Sequence, residues 1–170
     1  MRLLWCLVAA AVLSACAKSL TAPSGVQVGG AWTGLSTLIS ASNSECVGAL
    51  YQARIGRTDV MNASISQSGS TLSATITAQN AAVSCSYTGT ATSTGTFVLD
   101  VSTCQAATIT GLRCANGTVR DLDLMAGELN ASVSGNRATG TNAETWSIFE
   151  TGTSNPAGSL TLNSTVNLVR

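Results

Sequence analysis

Few residues in this 170-residue chain are able to do chemistry. Histidine is absent, which removes the commonest general base near neutrality and a major zinc ligand. Hydroxyls are plentiful, with 22 Ser and 23 Thr, but none sits beside a recognisable activating base. No Gly-x-Ser-x-Gly elbow and no glycine-rich phosphate loop occurs. Two carboxylate groupings remain. Asp121 and Asp123 fall on one face of a strand over residues 119–125, where they could hold calcium or share acid–base work. The plainer reading is a solvated strand face, or an ion pair of Asp121 with a nearby Arg. Glu144 and Trp146 also share a face, and a carboxylate beside an indole could bind a sugar or a cation. The plainer reading there is a core Trp with a carboxylate at its edge.

Cysteine supplies the other candidate chemistry. The chain has Cys6, Cys16, Cys46, Cys85, Cys104 and Cys114. Without Cys-x-x-Cys spacing they make a poor metal site, so no metal and no cofactor is expected. Cys6 and Cys16 belong to an N-terminal segment considered below. The other four are an even set, and in an exported chain two disulfides follow by default, with three possible connectivities. Strands over 87–90 and 96–101 flank a turn near Ser93-Thr94-Gly95, and Cys85 and Cys104 lie almost symmetrically about it. That hairpin favours Cys85–Cys104, leaving Cys46–Cys114. The rival pairs Cys104 with Cys114 across a short loop and Cys46 with Cys85.

The N-terminus reads as an export signal. Arg2 precedes an eleven-residue apolar run, Leu3 to Leu13, which is too short to span a bilayer as a helix. Leu13-Ser14-Ala15-Cys16 follows and resembles the bacterial lipobox. The resemblance implies diacylglycerol on the Cys16 sulfur, cleavage before Cys16 and acylation of its amine, giving an anchor of several acyl chains. With Ala17 rather than Asp next, it implies sorting to an outer membrane. The competing reading of the same letters is Ala15-Cys16-Ala17 as an ordinary cleavage site, which would release a soluble periplasmic or secreted protein. The expected organisation is a signal over 1–15, a lipidated N-terminus and polar tether over 16–29, and one domain over 30–170. Losing Arg2 leaves seven basic side chains against eight acidic ones. A near-neutral chain in which only 9% of residues are charged is neither a nucleic-acid binder nor a polybasic membrane-surface domain.

The elements that must position these residues are strands. Apolar residues alternate with polar ones at Met61, Ala63 and Ile65, at Leu72, Ala74 and Ile76, and at Phe97, Leu99 and Val101. The same period returns at Leu122 and Leu124, at Leu129, Ala131 and Val133, and from Leu160 through Leu162, Val166 and Leu168. Turn signals recur between them, including Ser68-Gly69-Ser70, Asn116-Gly117 and Ser134-Gly135-Asn136. The exception is a helix over 43–54, with Ser42 and Glu45 as a capping box and Gly56 as its stop. An all-β fold follows: an antiparallel up-and-down barrel of about eight strands with one short helix, or alternatively a β-sandwich.

Two further resemblances bear on the domain. Gly30-Ala31-Trp32 is similar to the Gly-x-Trp that opens calycin barrels such as lipocalins and avidins. In lipocalins that Trp meets an Arg near the end of the last strand, and here Arg170 follows the last strand. The resemblance implies a barrel closed at the Trp32 end. The other lipocalin motifs and the usual pocket aromatics are missing. The stretch from Cys85-Ser86-Tyr87 through Cys114-Ala115-Asn116-Gly117 to Glu144-Thr145-Trp146 resembles a family of small bacterial lipoproteins, about half the chain, to which no activity attaches.

The function classes narrow accordingly. The leading expectation is a non-catalytic, lipid-anchored barrel of the cell envelope that holds a small apolar molecule, with Trp32, Trp146 and Arg170 as candidate contacts. Burial in the core is the competing reading for both indoles. The alternative is a structural or inhibitory lipoprotein with a filled core and an envelope protein as partner. A binding barrel requires a continuous cavity of at least a few hundred Å3, roughly the scale of known ligand pockets. A core filled by Met61, Ile65, Leu72, Ile76, Phe97 and Leu99 would argue against one.

Overall fold

The computed structural model describes residues 25–43, 46–78, 83–105 and 108–170. The signal, Cys16 and Glu45 lie outside them. The strands are β1 (Gly30–Asn43), β2 (Thr58–Ser68), β3 (Thr71–Ala78), β4 (Val83–Ala91), β5 (Thr96–Gln105), β6 (Thr108–Arg113), β7 (Val119–Ser134), β8 (Arg137–Glu150) and β9 (Pro156–Val169). One helix, α1 (Cys46–Gln52), lies between β1 and β2. All pairings are antiparallel, and the sheet runs β5-β4-β3-β2-β1-β9-β8-β7-β6.

The sheet closes because β7 is long enough to have two neighbours on one side. Its first half pairs with β6, setting Asp123 opposite Thr108, and its second half pairs with β5, setting Leu129 opposite Leu99. The β5–β7 ladder joins eight strands into a barrel, and β6 is an extra strand at one end. Closure removes the exposed edges that an open sheet must protect. It also selects the barrel over the sandwich.

Inward residues follow the expected period of two. Met61, Ala63 and Ile65 on β2, Leu72, Ala74 and Ile76 on β3, and Leu160, Leu162, Val166 and Leu168 on β9 are all buried. The step from Leu124 to Leu129 breaks phase at a β-bulge between Leu124 and Ala126, which turns Met125 out to 64% exposure. Close strand approach demands glycine at Gly34 and Gly140, where a Cβ would run into the Asn167 and Asn130 carbonyls.

The two ends of the barrel differ. The β2–β3, β4–β5 and β7–β8 turns gather at one end, where Ala91 N–H donates to Ser70 C=O at 2.8 Å and Val133 N–H to Gly95 C=O at 3.0 Å. Ile65, Leu72, Phe97, Leu99, Leu129 and Leu168 fill the barrel there, interleaved with Ala63, Ala74 and Ala131. Alternating large and small side chains fits the taper of a closing barrel. At the other end α1 buries Val47 and Tyr51 against Leu122, Trp146, Ile148 and Leu160.

The helix is shorter than the expected 43–54. Ser42 and Asn43 remain in β1, paired with Thr161 and Leu160 of β9, and Glu45, the other half of the expected capping box, lies outside the described residues. Ladder hydrogen bonds across the barrel outcompete an earlier helix start. Gly56 does adopt the left-handed conformation, at φ 85°, and ends the turns after α1 by donating to Leu38 C=O at 2.8 Å. Both disulfides of the hairpin-based pairing form. Cys85–Cys104 links directly opposed residues of β4 and β5, and Cys46–Cys114 ties the first residue of α1 to the β6–β7 turn.

Candidate functional site

The interior is not filled throughout. Between α1 and the closed end lies a cavity of about 390 Å3. Ile65, Leu72, Phe97 and Leu99 fill the closed half. Met61 and Ile76 are buried in the same core cluster and also border the cavity, which has a polar wall.

That wall is built by β8. Two-residue periodicity sends Ala138, Asn142, Trp146 and Ile148 inward, and Glu144 lies in the same register. Asn142 Nδ2 donates to Glu144 Oε1 at 3.0 Å, and Trp146 Nε1 donates to Glu144 Oε2 at 3.1 Å. Glu144 is therefore held on both oxygens by its own strand. Asn142 is the one buried polar side chain among the described residues, and no donor reaches its Oδ1. Facing this wall are Tyr51 from α1 and Tyr87 from β4. Burial, reinforced by the Glu144 charge, raises the Tyr87 phenol well above its ordinary value. Burial also raises Tyr51, with Arg54 opposing and Glu144 adding to the shift. The rim carries both signs of charge in Arg54, Arg57 and Asp59. Arg54 lies over the Tyr51 ring, 5.5 Å from its centroid.

The candidate ligand contacts separate in space. Trp146 is in the cavity wall, between Glu144 and the apolar residues beneath α1. Trp32 and Arg170 meet at the closed end, where the guanidinium sits 4.7 Å from the indole centroid. Arg170 also donates to the Gln27, Gly29 and Gly135 carbonyls, and Trp32 Nε1 donates to Val28 C=O at 2.9 Å. This pair seals the barrel floor and borders only a shallow outer groove, away from the cavity.

Within the Asp121–Asp123 grouping, Asp121 serves as a structural acceptor. Asp121 Oδ1 accepts from Gly111 N–H at 2.8 Å and Thr151 Oγ1 at 3.3 Å, and Oδ2 accepts from Gly152 N–H at 3.0 Å. The carboxylate staples β6 to the β8–β9 turn, and the Gly111 and Gly152 amides hold its pKa below the usual value. Among the described residues no group of three Cys, Asp or Glu stands close enough to share a metal ion.

The shared face of Glu144 and Trp146 was legible in the sequence, whereas Asn142 was not singled out. Its signal was a polar residue in phase with Ala138, Trp146 and Ile148, at a position where an apolar one belongs. Tyr51 and Tyr87 carry no local signal at all, since only barrel closure brings them opposite Glu144. No protein-family model, curated protein or solved structure matches the chain.

Proposed function

We propose that this protein is a non-catalytic, lipid-anchored lipoprotein of the bacterial cell envelope, sorted to an outer membrane, whose barrel holds a small and mostly apolar molecule. The observation that carries the reading is the cavity of about 390 Å3 under α1, a size within the roughly 300–1,000 Å3 of small-molecule sites. Its walls are largely apolar, with a few convergent polar groups from β8. The lipobox-like Leu13-Ser14-Ala15-Cys16 supports the anchor, and two disulfides are in keeping with an oxidising compartment. The absence of histidine, together with the structural employment of Asp121, supports a binding role over a catalytic one.

The described chain enters at the closed end, where Val26 N–H donates to Ser93 C=O at 3.2 Å, opposite the end covered by α1.

Mass spectrometry of the protein purified from its native membrane tests both halves. We expect acyl additions on the N-terminal peptide that vanish in Cys16→Ser, and a small molecule extracted with the wild type. We expect that molecule to be lost in Ser164→Phe, which fills the cavity from β9. An unmodified N-terminus overturns the anchor, and identical extracts from wild type and Ser164→Phe overturn the binding role.

A further inference from the structure

The polar wall of the cavity is chemically one-sided. Asn142 and Trp146 both spend a nitrogen donor on Glu144, at 3.0 Å and 3.1 Å. The first bond fixes the amide orientation, because only the nitrogen side of Asn142 can face a carboxylate oxygen. Its Oδ1 is thereby turned away from Glu144, on a side chain only 5% exposed, and no donor among the described residues reaches it. Left over are that oxygen, the remaining lone pairs of Glu144 and one amide hydrogen. Buried amide oxygens in folded chains ordinarily have a donor, so this one, facing the cavity, is open to a partner other than the described residues.

The surroundings favour a particular donor. The rings of Tyr51, Tyr87 and Trp146 border the same space, and aromatic faces attract cations. Both phenols are held above their ordinary values, chiefly by burial, so they remain neutral beside Glu144. Arg54 and Arg57 stand at the rim with Asp59, and Arg54 lies over the Tyr51 ring. The rim is thus mixed in sign, whereas the β8 wall carries a carboxylate alone.

We infer that the cavity selects a molecule bearing a protonated amine on an apolar body, the amine donating to Asn142 Oδ1 and Glu144 and the body lying against Met61, Ile76 and Leu124. This rests on the binding role proposed above and adds the chemical class of the ligand.

Calorimetric titration of the disulfide-bonded mature chain with three probes of similar shape tests it: 2-phenylethylamine, 2-phenylethanol and phenylacetate at neutral pH. The amine is expected to bind about tenfold more tightly than the alcohol, as a charge-assisted contact does over a neutral one, with phenylacetate weakest. Glu144→Gln keeps the shape and can donate to Asn142 Oδ1. It should erase the amine's roughly tenfold advantage over the alcohol. Equal binding of amine and alcohol, or tighter binding of phenylacetate, overturns the inference and leaves the binding role standing. Failure of all three probes overturns both. An amine preference that survives in Glu144→Gln overturns the assignment to Glu144. Should that variant not fold, the ranking of the probes on the wild type decides alone.

Discussion

Replacing Cys46 and Cys114 together by serine removes the cross-link between α1 and the β6–β7 turn. The bond spans 68 residues of sequence, against 19 for Cys85–Cys104. Loop-closure entropy of the unfolded chain then assigns about 4.4 kcal/mol to the first and about 3.2 kcal/mol to the second. The longer loop is worth more because closing it excludes more unfolded conformations. Both losses lie below the roughly 5–15 kcal/mol of an ordinary domain, so each double variant should remain folded at 25 °C. The first should melt roughly 14 °C lower, on an unfolding entropy of about 0.3 kcal/mol/K for a chain of this size. Urea titration measures the loss directly as a change in midpoint at constant slope. A local effect accompanies the global one. A seven-residue helix has no stability of its own, and α1 is otherwise held by the burial of Val47 and Tyr51. Amide exchange in α1 should therefore accelerate in Cys46→Ser/Cys114→Ser and not in Cys85→Ser/Cys104→Ser. A loss below about 1 kcal/mol, or a larger loss from the shorter loop, would refute the loop-length reasoning.

The other predictions concern the floor, the core and the β6 staple. Arg170→Ala should cost about 1–2 kcal/mol in thermal unfolding, since it removes the cation over Trp32 and donors to three carbonyls. Arg170→Lys should recover less than half of that, because an ammonium lacks the planar fork. Leu99→Ala, at a position with 0% exposure in the filled half, should cost about 2–5 kcal/mol by urea titration. Asp121→Asn should destabilise the chain at neutral pH. The folded-state pKa of Asp121 is lowered, so its contribution is complete above the ordinary carboxylate value and fades as pH falls through the folded one. Melting curves of the two proteins should converge in acid, and a gap that persists there would contradict the stapling role.

Local patterns carried much of the architecture. Alternation in β2, β3, β5 and β9 was readable because a half-buried strand repeats every two residues whatever it pairs with. The Cys85–Cys104 bond was readable for a similar reason, since a hairpin brings residues nearly equidistant from its turn together, and a bulge between Ser86 and Tyr87 supplies the remaining one-residue offset. Patterns that compete with distant partners were misread. The expected helix start at residue 43 is one case, since β9 offered Ser42 and Asn43 a ladder. The six residues of β6 showed no clean alternation, because Gly111 sits in an irregular stretch that spoils the register between Ile109 and Leu112. The bulge after Leu124 shifted the phase of β7 at a residue, Met125, that looks as apolar as its neighbours.

The candidate site divides along the same line. That Glu144 and Trp146 share a face is a property of one strand, and the sequence alone determined it, along with the β class, the turns and the two-disulfide count. Whether that face looks into a filled core, a cavity or solvent depends on closure through the β5–β7 ladder and on α1 covering one end. Closure sets Tyr51 and Tyr87 across from Glu144 and carries Trp32 and Arg170 to the opposite end. Alternation is a local consequence of backbone geometry, whereas a cavity is the space left when strands far apart in sequence meet, and only the tertiary structure decides its volume.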